Sequence, residues 1–86
     1  MKFKAEVRVE LKPGVLDAEG KTTQKSLKLL GYPVSNVKKI NFYEIEVDVN
    51  SAENAKAVIE DACRRLLANP VIHNYGIEVT EMNNSI

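Results

Sequence analysis

The chain has 86 residues, of which 44% are hydrophobic and 28% charged, and its twelve basic and twelve acidic side chains give a formal net charge of zero. A chain of this length forms one small domain with a marginal core, and small domains without cross-links often gain stability by self-association. The balanced charge argues against nucleic acid as the main partner, because nucleic-acid binders usually carry a basic excess on one face.

The cysteine content and the N-terminal segment indicate the compartment. Cys63 is the only cysteine, which excludes a disulfide framework within the chain. Charged residues interrupt the apolar ones throughout residues 1–8, so this segment resembles neither a secretory leader nor a membrane span. We therefore expect a cytoplasmic protein without a membrane partner.

A strand and a turn are predicted first. Apolar and charged residues alternate strictly over residues 2–12, which predicts a strand with one dry face and one polar face. Pro13-Gly14 ends this strand with turn chemistry. The polar face is largely basic and carries Lys2, Lys4, Arg8 and Lys12.

A helix is predicted next. Asp17 fits its N-cap, and Glu19 suits the positive end of the helix dipole in the first turn. Gly31 closes the helix. Its apolar stripe is thin, because two positions hold Gly20 and Thr23, so its first half offers little area for burial unless another element covers it.

Residues 34–49 are predicted to be extended, with one interruption. A short first strand covers residues 34–38, and residues 38–41 form a hairpin tip. Apolar and acidic residues then alternate from Tyr43 to Val49, which predicts a second half-buried strand. Its acidic side chains complement the basic face of the first strand, so we predict that the two strands are neighbours.

The strongest predicted helix begins at Ser51, a favourable N-cap. Its wide apolar face comprises Ala55, Val58, Ile59, Ala62, Cys63, Leu66 and Leu67. Pro70 has no N–H and restricts the preceding residue, so this helix must end near Ala68. Alternation over residues 71–79 predicts a last strand.

The order of these elements predicts an α+β fold, a small two-layer sandwich. An antiparallel or mixed sheet of three to four strands would carry two helices on one face, in the order β-α-β(-β)-α-β. Residues 1–81 would form the single domain, and residues 82–86 a frayed tail.

None of the residues forms a recognisable catalytic or metal-binding pattern. A Cys–His nucleophile pair would require Cys63 and His73, and a zinc site would need two further ligands. Cys63 lies on the apolar stripe of a helix, which favours a core residue, and His73 follows Pro70 in a strand, which favours a packed or interface histidine. The segment from Lys12 to Gly20 lacks a phosphate-loop ending. We therefore assign no catalytic, cofactor-binding or metal-binding residue.

Three stretches of the sequence carry a family resemblance. They are LKPGVLDAEG at residues 11–20, KSLKLLGY at residues 25–32 and CRRLLANPVI at residues 63–72. Together they resemble the PurS family, the small subunit of phosphoribosylformylglycinamidine (FGAM) synthase in de novo purine synthesis. The chain departs from the family pattern at Ala18, often proline in the family, at Ile40-Asn41, where the family tends to have Gly-Lys, and at His73-Asn74, which replaces an acidic pair.

The resemblance implies a chain that binds no cofactor and has no active site of its own. In the family, a large PurL-type synthetase subunit uses ATP and Mg²⁺ to activate the amide of formylglycinamide ribonucleotide. A PurQ-type glutaminase subunit releases ammonia from glutamine. The resemblance implies that this chain, as a homodimer or a dimer of dimers, bridges these two subunits of an ATP- and glutamine-dependent ligase so that ammonia passes between them.

Two short connections are the candidate subunit interface. The interface candidates are Val15, Leu16, Asp17, Asn69, Pro70, Val71, His73 and Asn74. Two other functions stay open on the residues alone. One is a stand-alone dimeric regulatory domain that binds a metabolite, and the other is an independent small hydrolase, since fold does not decide function.

Overall fold

The computed structural model describes residues 1–82, and the elements follow the predicted order. They are β1 (Lys2–Leu11), α1 (Ala18–Leu29), β2 (Asn41–Asp48), α2 (Ala52–Ala62), a π-helical turn (Cys63–Leu67) and β3 (His73–Glu81). Most of the predicted tail, residues 83–86, lies outside the described residues. Met82 donates its backbone N–H to the carbonyl oxygen of Lys2 over 2.9 Å.

The sheet has three strands in the order β2-β1-β3, and both pairings are antiparallel. These strands and the two helices confirm the α+β class. The optional fourth strand at residues 34–38 does not form, because within residues 1–82 this segment has no ladder partner and runs as irregular chain beside α1; the lower of the two predicted strand counts is therefore confirmed. The interruption in the apolar pattern there marks a loop and not a hairpin.

The core lies between the sheet and α2. The apolar side of β1 is buried along most of its length, as expected for a central strand whose inner face is covered. The largest fully buried side chains are Ile59, Val7, Val9 and Cys63. Each large apolar side chain buried in this way contributes about 1.5–3 kcal/mol.

The end of α2 confirms the predicted stop. Ser51 caps its start by accepting the backbone N–H of Asn54 at 3.1 Å. After Ala62 the backbone widens into the π-helical turn, where the Ala68 N–H bonds to the Cys63 carbonyl oxygen five residues back at 2.8 Å. Ala68 itself is extended, with φ −138° and ψ 152°, so the helix ends where the proline requires.

Helix α1 departs from the prediction of two helices on one face of the sheet, because α2 covers β1 and β3 while α1 buries only Gly20. We call residues 17–40 the arm. The molecule measures 50 × 35 × 15 Å, and its radius of gyration is 16.7 Å. A compact domain of this length would have a radius of gyration of about 12 Å. The thin apolar stripe of α1 accounts for the departure, since it gives the helix little reason to pack on its own sheet.

The register of β1 and β2 confirms that these strands are neighbours but corrects their charge pairing. Lys2 lies opposite Asp48 and Lys4 opposite Glu46, as complementarity requires. Glu44, however, lies opposite Glu6, a like-charged residue. The alternation of residue types fixed which face each side chain occupies, but the strand-to-strand register was set by the buried face, where Ala5 pairs with Ile45 and Val7 with Tyr43.

Candidate functional site

The first interface candidate, Asp17, connects α1 to the irregular chain that returns from it. Its Oδ1 accepts the backbone N–H of Gly20 at 2.8 Å, which confirms the predicted N-cap. Its Oδ2 accepts the backbone N–H of Lys39 at 2.9 Å. These two hydrogen bonds, that of Lys39 first, lower the pKa of Asp17 below its ordinary value of 3.8. One carboxylate therefore caps α1 and also anchors the chain that returns from it.

Acid is expected to loosen the arm through this carboxylate. Because the pKa of Asp17 is depressed in the folded state, its contribution to stability is complete above pH 3.8 and is lost as the pH falls through the folded-state pKa. Asp17→Asn should reduce stability at neutral pH and should flatten the acid limb of the stability curve. Urea unfolding between about pH 6 and about pH 2 measures both effects. Identical pH profiles for the variant and the wild type would contradict this role.

Gly20 marks the closest approach within the arm. A Cβ built at this position would lie 2.8 Å from the carbonyl oxygen of Val37 and would also clash with the Asp17 carboxylate. The neighbouring Gln24 Oε1 accepts the Val37 N–H at 3.1 Å. The glycine therefore has a packing role, because it lets the returning chain lie against α1.

Replacing Gly20 with alanine should lower the free energy of unfolding by about 1–3 kcal/mol, the usual cost of overpacking. In an exposed helix the same change would raise the free energy of unfolding by about 1 kcal/mol. The sign of the effect therefore tests whether the returning chain packs against Gly20. Ser26→Ala, an exposed change in α1, is the matched control and should be neutral or slightly stabilising. A stabilising effect of Gly20→Ala in urea unfolding would show that the returning chain does not pack there.

Two ion pairs link the base of the arm to its surroundings. The Lys38 Nζ lies 2.6 Å from Glu10 Oε2 on β1, and this hydrogen bond lowers the pKa of Glu10. Lys39 pairs with Glu19 on α1, which raises the pKa of Lys39. The sequence predicts only a hairpin tip at residues 38–41. Sequence reasoning missed these partners because each pair joins residues about 20 or more positions apart, and no local pattern reports such a contact.

The second candidate segment forms a hydrogen-bonded turn before β3. The backbone N–H of Asn69 donates to His73 Nδ1 at 2.9 Å, and the N–H of His73 donates to the Asn69 carbonyl oxygen at 2.8 Å. Asn69 Oδ1 also accepts the Val71 N–H at 3.0 Å. His73 therefore acts as an acceptor through Nδ1, which requires the proton of its neutral form to sit on Nε2.

The structure brings the two candidate segments together at one end of the sheet. The N–H of Lys12 donates to the Ile72 carbonyl oxygen at 2.8 Å. Asp17 and His73 line the same open cavity of about 240 Å³. The charged residues in its wall are Glu10 on β1, Asp17 and Glu19 at the start of α1, and Lys39 on the chain that returns from α1. Lysines pair with the two glutamates, and two backbone N–H groups bind the Asp17 carboxylate, so each carboxylate has a partner.

The remaining interface candidates do not line this cavity. Val15 and Leu16 line a neighbouring open cavity of about 490 Å³ together with Asp17. Leu16, Asn69, Pro70 and Val71 are exposed. Asn74 lies apart from the cavity, on the outward side of β3 and opposite Glu10. Their use as an interface stays a prediction.

The chemistry of the described residues is limited. Cys63 is fully buried, and burial raises the pKa of its thiol, so the thiol stays protonated at neutral pH. Within residues 1–82, no three His, Cys, Asp or Glu side chains are placed to hold a metal ion. Over the same residues, no helix has both the length and the apolar character needed to cross a membrane.

Comparison with known proteins identifies the family. A family model described as PurS, phosphoribosylformylglycinamidine (FGAM) synthase, matches residues 4–81. The chain is 43% identical over 82 residues to the PurS subunit of this synthase from Methanothermobacter thermautotrophicus, with 95% of this chain and 98% of the relative aligned. The chain belongs to the PurS family.

Solved PurS structures share the fold. PurS of Methanocaldococcus jannaschii, one of the subunits of formylglycinamide ribonucleotide amidotransferase, superposes with a TM-score of 0.84 at 40% identity, covering 94% of this chain and 99% of that one. A chain of PurLQS from Thermotoga maritima superposes with a TM-score of 0.83 at 28% identity, covering 93% and 99%. These matches confirm the sequence resemblance and the α+β fold.

Proposed function

We propose that this chain is the small subunit of an FGAM synthase and has no active site of its own. It would bridge a PurL-type synthetase and a PurQ-type glutaminase in purine biosynthesis. The observation that supports this most directly is the match over nearly the whole chain with PurS proteins, one of which was solved as part of PurLQS. Hydrogen bonds and ion pairs hold the carboxylates of the cavity, and the single thiol of the chain is buried and protonated, which supports a chain without chemistry built on these groups.

The mechanism of such a subunit is geometric. Ammonia released into water at neutral pH is mostly protonated and therefore not nucleophilic. A subunit that holds the glutaminase and the synthetase together lets ammonia reach the activated amide before it is protonated, which is a proximity effect. ATP and Mg²⁺ would act on the synthetase subunit, and this chain would bind neither.

We also propose that the chain acts as a homodimer, assembled through the arm. Leu29 and Leu30 at the tip of the arm are 80% and 74% exposed, and Tyr32 beside them is also exposed. On the sheet, α2 covers β1 and β3 but leaves the apolar side of β2 half-buried. An arm from a second copy fits this uncovered strip, which would bury both apolar surfaces at once.

Reconstitution tests the bridging function. The synthetase and glutaminase subunits are assayed with and without this chain, first with glutamine and then with ammonium as the nitrogen source. We expect omission of the chain to reduce glutamine-dependent turnover at least about tenfold and to leave ammonium-dependent turnover unchanged, since only the first needs the proximity of two sites. Equal glutamine-dependent turnover without the chain would overturn the proposal. Saturable binding of a metabolite to the isolated chain would favour a regulatory domain instead.

A further inference from the structure

Three glutamates lie side by side on neighbouring strands, on the outward face of the sheet, which is the face opposite to α2. In the register of the strands, Glu6 on β1 has Glu44 on one side and Glu78 on the other. We call these three residues the glutamate row. Like charges directly opposite each other destabilise a sheet, so the row opposes folding of the isolated chain.

The glutamate row has almost no compensation within the chain. Among the ion pairs of the described residues, only Glu6 takes part, with Lys4 Nζ at 3.9 Å. Helix α2 packs on the opposite face of the sheet, so no element within residues 1–82 covers the row. Phe42, beside the row and opposite Arg8, is 59% exposed. The outward face therefore presents a band of negative charge at the glutamate row, flanked on β1 by Lys4 and Arg8, with an aromatic ring beside it.

Helix α1 carries the opposite pattern. Lys21, Lys25 and Lys28 are exposed, and their spacing places them on one side of the helix. We call them the lysine row. None of the three takes part in an ion pair with any of residues 1–82. Like charges at this helical spacing are unfavourable, so this row also opposes folding of the isolated chain.

The two rows have the same length. Adjacent strands are about 4.8 Å apart, so the glutamate row spans about 10 Å. Seven residues of helix rise about 10 Å, so the lysine row spans the same distance. Lys25 is the middle residue of the lysine row, and Glu6 is the middle residue of the glutamate row. When these two meet, Lys21 and Lys28 can reach the outer two glutamates.

We propose that the lysine row of one copy docks on the glutamate row of a second copy, with α1 crossing the outward face of the sheet. The contact would pair three cations with three anions, of which only Glu6 has a long ion pair, to Lys4, within the described residues. The exposed Phe42 would offer its ring face to an outer lysine, a cation–π contact. This contact uses the sheet face opposite to the core and the side of α1 opposite to Leu30. The arm tip is proposed to dock on the other face of the sheet, so the two contacts can coexist in one assembly. The proposal does not depend on the bridging function.

A charge-swap experiment tests the contact on the full chain. Sedimentation velocity is run on the wild type, on Glu6→Lys/Glu44→Lys/Glu78→Lys and on Lys21→Glu/Lys25→Glu/Lys28→Glu. We expect the wild-type assembly to become smaller as salt rises from about 0.05 M to about 0.5 M, because salt screens exposed ion pairs but not the apolar contact of the arm tip. Each variant alone should self-associate at least about tenfold more weakly, since its two rows now repel.

An equimolar mixture of the two variants is the decisive sample. Each variant then offers the charge that the other needs, so the mixture should regain the assembly size of the wild type. A mixture that stays dissociated overturns the proposal. A glutamate-row variant that keeps the assembly but no longer binds the synthetase subunit also overturns it, because the occupant of the row would then be another protein.

Two further variants separate the contact from general charge and from misfolding. Glu53→Lys/Asp61→Lys/Glu81→Lys changes the net charge equally at exposed positions away from the row and should leave the assembly unchanged. Glu6→Gln/Glu44→Gln/Glu78→Gln should melt at a higher temperature than the wild type under dissociating conditions, yet associate more weakly. A lower melting temperature, or unchanged association, would count against the glutamate row.

Discussion

Ile59→Ala is expected to lower the free energy of unfolding by about 2–5 kcal/mol, the usual cost of removing a large aliphatic side chain from a packed core. Ile59 is 2% exposed and is the largest of the fully buried side chains, packed between α2 and the sheet. A domain of this size has a total stability of about 4–13 kcal/mol. The loss would therefore remove a large part of that stability, and urea unfolding at a fixed protein concentration measures it.

Val58→Ala is the matched control for this substitution. Val58 is adjacent on the same helix, is also β-branched and is 48% exposed, so its truncation should cost less than about 1 kcal/mol. A similar loss for the two variants would show that burial under α2 is not what stabilises the fold. Repeating both measurements at a second protein concentration separates folding from self-association, because association makes apparent stability depend on concentration.

The elements that sequence reasoning predicted correctly share a local cause. The alternation of β1 reports one buried face whatever the strand pairs with, and Asp17 and Ser51 cap helices through hydrogen bonds three residues away. Asn69-Pro70 ends a helix through its own backbone chemistry. Each of these features depends on neighbours within a few residues, so one sequence suffices to find it.

The features that sequence reasoning missed depend on distant parts of the chain. The predicted strand at residues 34–38 instead packs beside α1, where Gln24 holds Val37. Helix α1 lies away from the sheet because its apolar stripe is too thin to pack there. A thin stripe predicts only a weakly amphipathic helix, and it does not indicate where that helix lies. The register that sets Glu44 against Glu6 depends on packing of the buried face, which charge complementarity cannot reveal.

The candidate site shows the same division. Asp17 was found as a cap, but its second role, holding Lys39, required the fold. His73 was expected to be a packed or interface histidine, and its acceptor role toward Asn69 depends on a four-residue turn that the sequence pattern does not specify. Sequence therefore located the two connections, whereas the cavity that joins them came from the meeting of α1, β1 and β3 at one edge.

Removing the apolar tip of the arm should have the largest effect on assembly. Leu29→Ser/Leu30→Ser/Tyr32→Ser is expected to weaken self-association at least about 100-fold, because burying each large apolar side chain contributes about 1.5–3 kcal/mol. The stability of the dissociated chain should change little, since all three side chains are exposed within one copy. Sedimentation equilibrium over a range of protein concentrations measures the dissociation constant.

The other exposed apolar residues provide the control for the arm tip. Val58→Ser/Leu66→Ser changes two exposed apolar side chains in α2 and in the turn that follows it, away from the arm, and should leave the dissociation constant within about threefold of the wild type. If this pair, and not the arm tip, abolishes association, the chain pairs through α2. The arm would then need another role, because an isolated helix with a thin apolar stripe gains little stability from its own chain. The proposed dimer with exchanged arms would account for the position of α1 away from its own sheet, because each copy would supply the layer that the other copy lacks.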